Sequence, residues 1–119
     1  MAWLRPALLL RVESLVITVG LLALYDRIGG SWLLFFGCIL APDLAILAYA
    51  AGNSVGAAVY NLVHTYVLPV GLVGYGVLGD NALALQLALI WLTHISVDRM
   101  LGFGLKYATG FKDTHLNRV

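Results

Sequence analysis

The chain has 119 residues, of which 61% are hydrophobic and 11% charged. Soluble domains run near half apolar and a quarter charged, so a soluble enzyme is close to excluded. Seven basic and six acidic residues leave a net charge of +1, which argues against a nucleic-acid partner held by charge.

The length suits one domain of about four membrane spans of roughly 20 residues each. The first apolar stretch covers 6–25, with Pro6 at a first-turn position. Arg11 and Glu13 interrupt it, so it reads as a retained span rather than a cleaved signal peptide. Residues 26–31, with Gly29-Gly30, form a loop. The second stretch covers 32–51 and holds the single cysteine, Cys38, which reads as a small buried apolar residue. The break Gly52-Asn53-Ser54 is short enough to make spans two and three antiparallel neighbours. The third stretch covers 55–78 and ends at Gly79-Asp80-Asn81. The fourth covers 82–106, and a polar tail, 107–119, follows. These runs are too long and alternate too little for strands, and lipid demands backbone pairing within each segment. The expected fold is all-α: an integral membrane four-helix bundle with antiparallel spans, forming one transmembrane domain over 1–119.

Arg5 and Arg11 lie at one end of the chain, and Arg99, Lys106, Lys112 and Arg118 at the other. Basic residues favour the cytoplasmic side, so both termini are expected there. Tyr25, Trp32, Tyr49 and Tyr107 fall near span ends, as interfacial aromatics do.

Ionisable side chains within spans are costly in lipid and mark candidate sites. Here they are Glu13, Asp43, His64, His94, Asp98 and Arg99, with Asn61 as a neutral companion. At about 1.5 Å per residue from the cytoplasmic ends, Glu13 lies roughly 10 Å deep and Asp43 roughly 12 Å. His64 and Asp98 lie roughly 13 Å deep and His94 roughly 19 Å. All four spans therefore contribute to one layer. His94 and Asp98 are four apart and share a helix face, as imidazole and carboxylate ligands of one ion would. The same pair also suits a simple hydrogen bond. Tyr60, Asn61, His64 and Gly71 fall on one side of span three. Glu13 and Gly20 share a face of span one, while Arg99 lies off the His94 face. Asp43 follows Pro42 and could instead cap or kink span two. Pro69 removes a donor and frees a carbonyl near Thr65.

Several stretches carry a resemblance. They are Ala41-Pro42-Asp43-Leu44, Tyr60-Asn61-Leu62-Val63-His64-Thr65-Tyr66 and Trp91-Leu92-Thr93-His94-Ile95-Ser96-Val97-Asp98-Arg99. Gly102-Phe103-Gly104-Leu105-Lys106-Tyr107 and Gly110-Phe111-Lys112-Asp113-Thr114-His115-Leu116 complete the set. Together the chain resembles small bacterial four-span membrane proteins, the domain-of-unknown-function family numbered 4260. The resemblance runs from about Glu13 to Leu116 and implies a bacterial membrane protein without an assigned activity. The Tyr60–His64 and His94–Asp98 spacings are also similar to motifs of the prenyl-protein-processing intramembrane glutamic proteases. The paired glutamates of that family are absent, since Ser14 follows Glu13. In size and plan the chain is similar to the small multidrug resistance transporters, with Glu13 in span one.

The leading expectation is a metal-dependent membrane hydrolase acting on an ester or amide of a lipid-like substrate. His64, His94, Asp98 and Asp43 are the candidate metal ligands, for zinc, iron or manganese. Glu13 is the candidate general acid or base, with Asn61, Tyr60 and Arg99 as further polar candidates. One alternative is a proton-coupled small-solute carrier acting as a homodimer. Another is a structural or assembly subunit. The expected location is the bacterial inner membrane, with membrane lipid as partner.

Overall fold

A computed structural model of the chain describes residues 5–107 and 110–114, with side chains described as far as Leu105. Helix α1 runs unbroken over Pro6–Arg27. Helix α2, Trp32–Cys38, starts where the Ser31 hydroxyl accepts a hydrogen bond from the Leu34 amide at 3.2 Å. That bond satisfies one of the free donors of the first turn. Helix α2 stops after seven residues, and a 3₁₀ helix continues the span over Ala41–Ala51. Pro42 has no amide donor, which marks the change of helix type. Helix α3, Asn53–Val63, and helix α4, Val67–Leu78, share the third span. Helix α5, Ala82–Leu101, begins at Asn81, whose side chain accepts from the Ala84 amide at 3.0 Å.

This helical architecture agrees with the all-α class expected. Three stretches are long and apolar enough to cross a membrane: Pro6–Arg27, Trp32–Ala51 and Asn53–Leu78. Helix α5 has 20 residues and is of membrane-spanning length, about 30 Å. Two departures matter. Spans two and three are each broken near mid-length. The region expected to be a polar tail holds an antiparallel ribbon, Lys106–Tyr107 paired with Gly110–Thr114, lying against α3. Tyr107 as an interfacial anchor and the basic side chains of the tail fall outside the described residues.

Helix α5 is the centre of the packing, in contact with α1, α2 and α4. Its residues Leu92 to Ser96 are all buried. Helix α1 meets it through small polar residues. Thr18 Oγ1 donates to Ser96 Oγ at 2.8 Å, and Ser96 in turn donates to the Thr93 carbonyl at 3.0 Å. Small hydroxyl residues let helix backbones approach closely and pair across the contact, as membrane helices do. Tyr25, near the end of α1, is fully buried against Phe35, and its hydroxyl donates to the Ser31 carbonyl at 2.6 Å. Leu33 and Leu78 are 88% exposed. In water such side chains would be an aggregation liability, whereas lipid solvates them.

The second and third spans form a close hairpin between the 3₁₀ helix and α3. Gly52 makes the turn at φ 115°, a conformation that side-chain-bearing residues rarely adopt. One turn later the Tyr49 ring lies where a Cβ on Gly56 would stand. That close approach holds the strand of chain bearing Asp43 against the helix bearing His64.

Candidate metal centre

Both breaks in the spans lie at the same place, and α5 fills them. Helix α3 ends at His64, leaving its last carbonyls without helical partners. The Trp91 indole donates to the Val63 carbonyl at 2.6 Å. The Arg99 guanidinium donates to the His64 carbonyl at 3.0 Å and stands 6.0 Å from the centroid of the Tyr66 ring. The Thr65 hydroxyl donates to the Leu62 carbonyl at 3.3 Å. Irregular backbone at membrane depth is tolerated where protein satisfies it in this way. At the other break, His94 Nδ1 lies 2.5 Å from the Ile39 carbonyl, just beyond the end of α2.

His64 Nδ1 likewise lies 2.8 Å from a carbonyl, that of Tyr60. A carbonyl only accepts, so each Nδ1 carries the proton. In the neutral rings both Nε2 atoms are then bare lone pairs. These atoms face each other at 3.3 Å. Asp43 Oδ1 lies 3.3 Å from His64 Nε2 and 3.0 Å from His94 Nε2. Asp98 Oδ2 lies 3.6 Å and 3.3 Å from the same two atoms. One ligand atom from each of the four residues falls within 4.8 Å of all the others. Four acceptors facing one another repel unless a cation, metal or proton, sits among them.

The His–His and His–Asp separations, 3.0–3.6 Å, fit a metal. Ligands about 2.0–2.1 Å from a tetrahedral ion stand about 3.3 Å apart. The chemistry of the donor set, two imidazoles and two carboxylates, suits zinc, iron or manganese. The rings are pre-oriented, since each Nδ1–H is held by a backbone carbonyl, the usual outer partner of a ligating histidine. Tyr60 adds a wall, its ring stacked on that of His64 with centroids 3.7 Å apart. His64 and His94 are buried, Asp98 is mostly covered, and the Asp43 side chain is 38% exposed. The open side of the centre is therefore at Asp43.

Of the residues singled out in the sequence, Asp43, His64, His94 and Asp98 come together, with Tyr60 against them and Arg99 behind His64. Asn61 is half-buried on α3. Glu13 is not brought in. It lies exposed on α1, one position past the buried Ser14–Thr18 face, and contributes no ligand atom to the cluster. The single layer drawn from all four spans is thus built from three. Gly71, expected on the His64 face, lies beyond the break in span three and is exposed. Trp91 was missed, although it stands three residues before His94 on α5. So were Ile39 and Tyr66; Ile39 takes part through its backbone, which leaves no mark in sequence.

Beside the ligands lies an apolar cavity of about 390 Å³, lined by residues that include Pro42, Val63, Ile90 and Trp91. Pro42 and Val63 directly precede the ligands Asp43 and His64.

A helical, membrane-type protein with a buried His/Asp cluster able to hold a metal ion is the class that fold and site define. Residues 7–119 match the family described as Domain of unknown function (DUF4260), and the chain belongs to that family. No curated protein and no solved structure matches the chain.

Proposed function

We propose that the protein is a divalent-metal-dependent hydrolase of the bacterial inner membrane, with both termini cytoplasmic, acting on an ester or amide of a lipid-like molecule. The observation that carries this reading is the meeting of two bare Nε2 atoms and two carboxylates, with Asp43 on the open side, so that His64, His94 and Asp98 would hold the ion and leave the fourth position to water. Zinc is the first choice from His plus carboxylate, with iron or manganese next. When bound, such an ion makes water nucleophilic near neutral pH and polarises a carbonyl.

The chain's own residues do the rest. His64 and His94 are held in one orientation by the carbonyls of Tyr60 and Ile39. Asp98 is fixed one helical turn from His94. Asp43 stands on the open side and is the group placed to take a proton. As the water oxygen bonds to the carbonyl carbon, Asp43 accepts the water proton. It returns that proton to the departing alcohol or amine as the C–O or C–N bond breaks. Asp43 replaces Glu13 in this role because Glu13 lies outside the cluster.

The test is elemental analysis of protein purified without chelator, followed by hydrolysis of long-chain nitrophenyl esters by stripped and reloaded protein. Close to one divalent ion per chain and metal-dependent turnover are expected. Protein that carries no ion and takes none up would overturn the reading.

The breaks in spans two and three favour one second reading. Discontinuous helices that meet at mid-membrane are a feature of ion-coupled carriers. In that reading a homodimer exchanges protons held at Asp43 for a cation. Metal-loaded protein that hydrolyses nothing but moves zinc into liposomes down a pH gradient would select it.

A further inference from the structure

Arg99 is a half-buried guanidinium, and among the described residues no carboxylate lies within ion-pair distance of it. A divalent ion would balance the charges of Asp43 and Asp98. Among the described residues Arg99 then has no carboxylate paired with it beside the centre, a costly state at membrane depth. Glu13 on α1 is beyond ion-pair distance of Arg99, although it is close enough for its charge to act on Tyr66. A second group is also left open. The Tyr66 hydroxyl is buried without a hydrogen-bond partner among the described residues. Buried hydroxyls normally find one. The apolar cavity lies on the other side of the ligands. Along α5 it is lined by Leu87, Ile90 and Trp91, which precede His94, whereas Arg99 follows it. Ala41 on its rim is exposed, so the cavity reaches the surface.

We propose that the molecule acted on is a single-chain amphiphile with one negative charge in its head group, the charge held by Arg99 and Tyr66 and the hydrocarbon chain lying in the cavity between Pro42, Val63 and Trp91. This rests on the metal-centre reading above. The arrangement matches a lipid of the cytoplasmic leaflet, with its head near the cytoplasmic end of α5 and its tail toward the membrane centre. Arg99 supplies the missing countercharge, and the cavity, wholly apolar, accepts a chain and rejects a polar arm. Since hydrocarbon gains little by leaving lipid for protein, the charge and not chain length sets the preference.

The experiment uses the full chain with Trp3→Phe and Trp32→Phe, which leaves Trp91 as the only tryptophan. Quenching of Trp91 is titrated at about pH 8, where a carboxylate is ionised, with dibromostearate, dibromostearyl alcohol and a lysophosphatidylglycerol, a singly charged phosphodiester, bearing the dibrominated chain. Metal content is measured on the same samples. The anionic probes should half-saturate at a concentration about tenfold or more below the alcohol, as expected for a hydrogen-bonded charge. Whichever anion is tighter identifies the head as carboxylate or phosphate. Arg99→Gln should bring anion and alcohol to within about twofold, and Tyr66→Phe should narrow the gap in part. If Arg99→Gln fails to fold, the anion–alcohol comparison in the parent protein still decides. Metal-loaded protein that binds anion and alcohol equally overturns this proposal and leaves the metal centre standing. Protein without metal that still prefers the anion overturns the metal reading alone.

Discussion

Replacing His94 separates two contributions that the structure joins in one ring. Nε2 faces the other three ligand atoms, and Nδ1–H is held by the Ile39 carbonyl. His94→Gln retains an amide donor for that carbonyl but offers no equivalent ligand. His94→Ala removes both. With free metal at a hundred times its dissociation constant, binding stabilises the fold by about 2.7 kcal/mol. Glutamine should lose that term and little else. Alanine should lose it and also strand the buried carbonyl, a further cost of about 1–3 kcal/mol. The assay is thermal unfolding in detergent with and without chelator, paired with elemental analysis. Wild-type protein should be destabilised by chelator, His94→Gln should match the chelated wild type and ignore chelator, and His94→Ala should melt lower still. One-to-one metal in His94→Gln, or a wild-type melting point indifferent to chelator, would refute the reasoning.

Acidification should release the metal, because both imidazoles must be neutral to bind. The affinity should fall as the pH is lowered, reaching about a hundredfold per pH unit where two protons replace one ion; a titration with elemental readout checks the slope. Arg99→Ala should keep the metal but cost about 1.5–3 kcal/mol, the worth of a charge-assisted bond to the freed His64 carbonyl, as read by unfolding. Gly56→Leu should drive a side chain into the Tyr49 ring. It should cost about 1–3 kcal/mol and weaken metal binding by parting Asp43 from His64, which an affinity measurement detects. Reporter fusions after Asn53 and Val119 should read the cytoplasmic side, and one after Gly30 the opposite side.

Composition alone settled the helical class, because long apolar runs leave no other way to pair the backbone in lipid. The His94–Asp98 pair was equally legible, since four residues along an unbroken helix return to the same face. Depth counting also found Asp43 and His64, although it placed Asp43 too shallow. The chain there is 3₁₀, rising about 2.0 Å per residue, so Asp43 stands about 16 Å from the end of its span, nearer the level of His94. The same counting put Glu13 at the level of the site although it lies outside the ligand cluster, because depth says nothing about direction. Which face of α1 packs inward was decided by tertiary contacts of Ser14 and Thr18 with α5. In water the apolar face would have identified itself. In lipid the outward face is as apolar as the buried one, so the periodicity that orients a soluble helix is missing. The breaks at Ile39–Leu40 and His64–Tyr66 were decided in the same way: Pro42 and Pro69 permit them, and Trp91, Arg99 and His94, arriving from α5, supply donors that together with Thr65 make them stable.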